Sequence, residues 1–412
     1  MMTVIDTTGE APASAPVQSD IVGGRPEALS VALSRFIHFA RWVAATMVLL
    51  HHVSATFVSV PDIMTAPHNP LVYVWWFFTP FIFAHEAVIV FFVLSGFLVG
   101  GAVLERHKQE APWLRKYLSD RIVRIYVVFL PVIALTLVLD ASGQRLFEAA
   151  DLYDLPFLDG HYDLGLILPN LLSLQGLWFE PLGTNIPLWS LGMEVWFYIL
   201  FPLLLLPWLR AYPRHWVRVF GLAAAMVFLL SLPTGNYTRF GFAIWALGAV
   251  VRVMPRPLLR SKWLSLSLFV IVSVVLRFAV REHLMKAPPI EYLVDAVEAL
   301  LFGNLLLTLR FDRGEGFRFA RSAMHAKLAS FSFTLYAFHV PVVFWIAGAV
   351  GLVFGASWRS AHATPLHYAV AIAVVVVTLA AGYGLSLLTE RHTETVRRWA
   401  RGLFAPRKVE PT

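Results

Sequence analysis

RWVAATMVLLHH, residues 41–52, places a permanent cation and two imidazoles in an apolar run long enough to be part of a membrane-spanning helix. Charge at membrane depth is costly, so such residues line a cavity or carry function far more often than they face lipid. Arg41 and His52 are eleven residues apart, about three helical turns, and so share a face about 16 Å apart along the axis. His51 points about 100° away from that face. One helix thus offers a cation near one membrane surface and an imidazole much deeper. The structural alternative is that Arg41 snorkels to headgroups and His52 bonds a neighbouring helix.

The rest of the chain supports a membrane setting. Of 412 residues, 58% are hydrophobic and 14% charged, with a mean hydropathy of +0.67. A soluble protein carries about a quarter charged residues. Apolar runs near twenty residues follow one another with short gaps, which predicts an all-α polytopic membrane protein. About ten transmembrane helices are expected, over 37–60, 80–104, 122–140, 187–208, 215–233, 239–253, 263–280, 291–310, 328–355 and 367–388. Segment 71–83 is also apolar, but Pro80 and His85–Glu86 follow it, so it reads as a span or as an interfacial piece.

Basic residues orient this count. With a cytoplasmic N-terminus, 25 of the 33 Lys and Arg fall on the cytoplasmic side and 6 outside, with Arg41 and Arg124 inside spans. That asymmetry predicts an even span number and both termini in the cytoplasm. It also accounts for the net charge of +7 through anionic lipid rather than nucleic acid. Residues 1–34 read as a disordered cytoplasmic tail without signal-peptide features. Residues 35–392 form the membrane domain, and 393–412 a basic cytoplasmic tail. The outer loop 141–186 is long and acidic, either a docking place for an acceptor or a solvated cap. The chain has no cysteine, which excludes disulfides, thiolate metal sites and a cysteine acyl-enzyme.

Other segments carry candidate chemistry. Arg121 and Arg124 open the third span on one face, where free helix N–H groups and two guanidiniums suit a phosphate-bearing ligand, although single arginines there also anchor spans. Glu194 lies about two turns inside the fourth span, where a carboxylate needs a cation or a proton. Tyr336 and His339 sit one turn apart in the ninth span. Ser95 lies in a small-residue packing stretch, and Trp189 and Ser190 precede Glu194. No phosphate-cradling Gly loop with Lys, no HExxH and no GxSxG elbow is present, and no metal site is expected.

These segments together resemble the acyltransferase 3 family of integral membrane acyltransferases, whose bacterial members modify cell-envelope glycans and other extracytoplasmic molecules. The matching stretches run in order: Arg41–x10–His52, FFVLSGFL at 91–98, RIVRIY at 121–126, PLWSLGMEVWFYILFP at 187–202, FAIWALG at 242–248, FSFTLYAFHVP at 331–341 and YGLSLLTERH at 383–392. The chain departs from the family pattern at Gly192–Met193, at His85–Glu86 and at Phe331 and Phe333. A soluble hydrolase-like domain of the kind fused to some relatives is not expected.

The resemblance implies transfer of an acyl group, acetyl first among the choices, from cytoplasmic acyl-CoA to a hydroxyl of an extracytoplasmic glycan or lipid-linked acceptor. It implies a multi-pass protein of the bacterial inner membrane, with acetyl-CoA as co-substrate and no bound cofactor. In that scheme Arg121, Arg124 and Arg41 hold the donor, His52 is the general base, and Glu194 orients His52 or the acceptor. Ser95, Trp189, Ser190, Tyr336 and His339 are accessory candidates. Two rival classes remain on the residues alone: a transporter or flippase for a lipid-linked sugar or acyl group, and a sensing protein without catalysis.

Overall fold

The computed structural model describes residues 29–58, 83–276, 288–361 and 363–403. Segment 71–83, apart from its last residue, and both tails beyond these limits lie outside the described residues. Eleven principal helices follow one another: α1 Val31–Phe57, α2 Ala84–Glu105, α3 Leu114–Leu146, α4 Leu188–Leu205, α5 His215–Ser231, α6 Thr238–Val253, α7 Lys262–Leu276, α8 Pro288–Arg310, α9 Ser332–Phe354, α10 Pro365–Leu388 and α11 Thr393–Leu403. Among the described residues the only β pairing is a bridge between Gln175 and Phe179.

Each of the ten expected apolar segments is mainly helical over its described residues. Among the described residues, seven helices are long and apolar enough to cross a membrane, while α5 and α7 are shorter apolar helices. Their outward faces stay hydrophobic: Val138, Val227, Leu230, Ile271, Val353 and Leu388 are all exposed. An apolar belt of this kind is unfavourable in water and suits lipid.

Local chemistry sets the helix ends. Ser30 caps α1, its hydroxyl accepting from the Leu33 N–H and donating to the Leu309 carbonyl at 2.6 Å. Thr364 and His367 form a reciprocal capping box on α10, with Pro365 in the first turn. A π-helical turn at Gly96–Gly100 lets α2 lie against α6. A Cβ on Gly96 would overlap the Trp245 carbonyl oxygen, and one on Gly248 the Val93 carbonyl oxygen. The small residues in FFVLSGFL and FAIWALG therefore serve close backbone approach, as expected for membrane helices.

α9 is packed against α1, α3 and α10. Its interior Pro341 has no N–H, so the Ala337 carbonyl loses its helical donor. Asn185 replaces that donor, its Nδ2 lying 3.0 Å from the Ala337 oxygen and 3.0 Å from Thr136 Oγ1.

This bond anchors the long loop 141–186. Its second half is not a solvated cap. Asn170, Ser173, Gln175, Thr184 and Asn185 are fully buried. Asp140 accepts from the Thr184 N–H and hydroxyl, each at 2.8 Å, and Asn170 accepts from the Leu182 N–H at 3.0 Å. Side chains satisfy the polar backbone that such a segment carries into the interior.

The basic C-terminal stretch begins as a helix. α11 lies on the start of α3, where Arg401 Nη2 is 2.7 Å from the Asp120 carboxylate.

Candidate active site

One cavity of about 140 Å³ gathers most of the candidate residues: Arg41 from α1, Ser95 from α2, Arg121 and Arg124 from α3, Ser190 and Glu194 from α4, and Tyr336 from α9. Phe91, Leu98 and Phe333 supply apolar wall. The space is smaller than the roughly 300 Å³ lower limit of sites that enclose drug-sized ligands. It has room for a small group only.

Its charges are mixed. Arg41 interacts electrostatically with Arg124, Glu390 and Glu194. Glu390, at the end of α10, accepts a bond from the Thr334 hydroxyl at 3.0 Å. Three guanidiniums against two carboxylates leave the cavity cationic, which favours an anionic or polarised carbonyl ligand.

Glu194 is held by a directed chain. Trp245 Nε1–H donates to Ser95 Oγ at 3.0 Å, and the Tyr198 hydroxyl donates to Glu194 Oε1 at 2.5 Å. The Tyr198 hydrogen is spent on Glu194, so in the 3.1 Å contact between Ser95 and Tyr198 it is the Ser95 hydroxyl that donates. Every hydrogen in the series points at the carboxylate. Opposite this chain, Ser190 Oγ and the Tyr336 hydroxyl are 2.6 Å apart.

His52 and His339 do not line this cavity. Their rings face each other with centroids 5.1 Å apart. His339 Nδ1 bonds the Tyr336 carbonyl at 2.7 Å, and because a carbonyl only accepts, Nδ1 carries that hydrogen. Its Nε2 is buried without a hydrogen-bond partner among the described residues. Tyr336 joins the two groups, with its hydroxyl on Ser190 and its ring 6.0 Å from that of His339.

Three expectations change. Glu194 makes no hydrogen bond to His52; Tyr198 holds it inside the arginine-lined cavity, and the neighbour of His52 is His339 instead. Arg121 and Arg124 do not open their helix, because α3 starts at Leu114 and the backbone N–H groups beside them are already used within it. Trp189 lies outside the cavity, packed edge-on against Phe92 and Tyr237. Tyr198, Trp245 and Glu390 were missed as functional candidates, although each sits in a quoted motif. A tyrosine one turn after an intramembrane glutamate was the available signal for the first.

A second cluster stands apart. His85 Nε2 and the carboxylates of Glu291 and Asp295 lie within 4.8 Å of one another, donor types that could hold a divalent cation. His85 and Asp295 are already bonded at 2.9 Å, and the Tyr237 hydroxyl donates to Asp295 at 2.7 Å.

With this geometry in place, comparison with known proteins is informative. Residues 34–385 match the family model described as acyltransferase domain. Acyltransferase MdmB of Streptomyces mycarofaciens is 28% identical over 332 residues, 74% of this chain and 79% of that protein. An uncharacterised protein of Haemophilus influenzae is 30% identical over 154 residues, 35% of this chain and 58% of its own length. No solved structure matches the chain. The model's match across nearly all of the helical bundle shows that this chain is a multi-pass membrane protein belonging to the acyltransferase 3 family.

Proposed function

We propose that the protein transfers an acyl group, acetyl being the first to test, from a cytoplasmic CoA thioester to a hydroxyl of an extracytoplasmic carbohydrate or lipid-linked acceptor. The observation that carries this reading is that Tyr336, a wall residue of the Arg41–Arg121–Arg124 cavity, packs against His339, whose ring neighbours that of His52.

An imidazole of the pair, His52 in the first instance, takes the proton of the acceptor hydroxyl. The oxygen attacks the thioester carbonyl, the carbon–sulfur bond breaks, and the imidazolium returns its proton to the departing thiolate. Guanidiniums beside the carbonyl stabilise the charge that collects on its oxygen. Glu194, fixed by Tyr198, offsets part of the charge of Arg41 rather than orienting the base. The acyltransferase family and the curated relative favour this over a carrier.

The test uses purified protein in liposomes with acetyl-CoA inside and envelope glycans outside, following free thiol and acetylated product. Thiol release that depends on acceptor and on His52 supports the reading. Movement of glycan or acetyl group without thiol release overturns it.

A further inference from the structure

A groove of about 660 Å³ opens on the Arg-rich face between the α6–α7 turn and the end of α8. It shares no lining residue with the active-site cavity. Its floor is fixed from beneath. Asn304 Oδ1 accepts from the backbone N–H groups of Leu258 and Leu259 at 2.9 and 3.1 Å, and the Thr308 hydroxyl donates to the Leu259 carbonyl at 2.7 Å. Asn304 Nδ2 donates to Ser265 Oγ at 3.0 Å, and all three of these side chains are buried. The turn is therefore preorganised by the protein's own interior.

Its charge is one-sided. The single acid in the lining, Asp312, is bound to Lys262 Nζ at 2.6 Å. Burial opposes ionisation there, yet Lys262 and the Gly314 N–H hold the Asp312 carboxyl below the ordinary carboxylate range. Arg256, Arg260 and Arg313 are exposed and have no carboxylate partner among the described residues. Beside them Leu258 is 81% exposed and Trp263 56% exposed. Basic groups next to an exposed Trp and Leu are the composition of a membrane interface on its anionic side.

We infer that this groove binds the phosphodiester headgroup of an anionic phospholipid from the leaflet on the Arg-rich face. Arg256, Arg260 and Arg313 take the phosphate, and Leu258 and Trp263 lie along the start of an acyl chain. A soluble phosphate would leave those two apolar side chains without a partner, which is why the lipid is the occupant.

Native mass spectrometry of the full-length protein in detergent tests this, with phosphatidylglycerol and phosphatidylcholine as probes. The decisive variant carries Arg256→Gln, Arg260→Gln and Arg313→Gln. A control carrying Lys108→Gln, Arg214→Gln and Arg398→Gln loses equal charge elsewhere. Phosphatidylglycerol should stay on the wild type and the control and raise their Tm. In the groove variant its binding should weaken about a hundredfold, the effect of removing three cations from an anionic interface. Millimolar glycerol phosphate or coenzyme A should not displace it. Equal retention by the groove variant, loss in the control, or displacement by the soluble phosphates would each overturn the proposal.

Discussion

The Glu194 carboxylate takes the one hydrogen of Tyr198, and that orders the four side chains running back through Ser95 to Trp245. Tyr198→Phe leaves the half-buried Glu194 carboxylate without that donor. We predict that it costs about 1–3 kcal/mol of stability and lowers turnover, read as Tm and thiol release. Trp245→Phe removes only the donor to the Ser95 oxygen and leaves the bond from Tyr198 to Glu194 in place, so its activity loss should be the smaller of the two. Among the imidazoles, His52→Ala should reduce acyl transfer by about 10²–10⁴-fold, the scale of general-base catalysis, with His51→Ala near wild type. His339→Ala should fall with His52→Ala rather than with His51→Ala. Full activity in the His52 variant at matched expression would discard the mechanism.

Helix α9 is held at Ala337 by a bargain between two elements: Pro341 withholds a donor and Asn185 supplies one. Asn185→Ala should therefore destabilise by about 1–3 kcal/mol in the native chain. It should cost less in a Pro341→Ala background, where the helix regains its own N–H. A double-mutant cycle on Tm measures this, and strict additivity would show that the two residues act separately. Where α2 and α6 cross, Gly248→Leu should abolish the folded yield, because the leucine would collide with the backbone of Val93. At the other end, Asp120→Ala removes the anchor of α11 and should make residues 393–403 sensitive to protease while leaving the bundle folded.

For the molecule as a whole, the basic asymmetry predicts both termini on one side. The chain lacks cysteine, so single cysteines at Arg25 and Lys408 can be labelled without background. Both should react from the cytoplasm only, and opposite sidedness would overturn the even span count. Hydrophobic run length and basic residues made the ten helices legible, because burial in lipid is a local, additive property of a segment. The site was legible in part. Arg41, Arg121, Arg124, Ser95, Ser190, Glu194 and Tyr336 line one cavity, since each is a polar residue inside an apolar helix. The pairing of His52 with His339 was not readable, because it depends on how α1 and α9 rotate against each other. Nor was the buried course of residues 170–187, whose polarity suggests surface until its partners Asp140, Thr136 and Ala337 are known. That last attachment bears on engineering. Exchanging segment 141–186 between relatives to redirect acceptor choice would strip a strut two residues from His339. Chimeras should tolerate the swap only when the asparagine and the proline travel together.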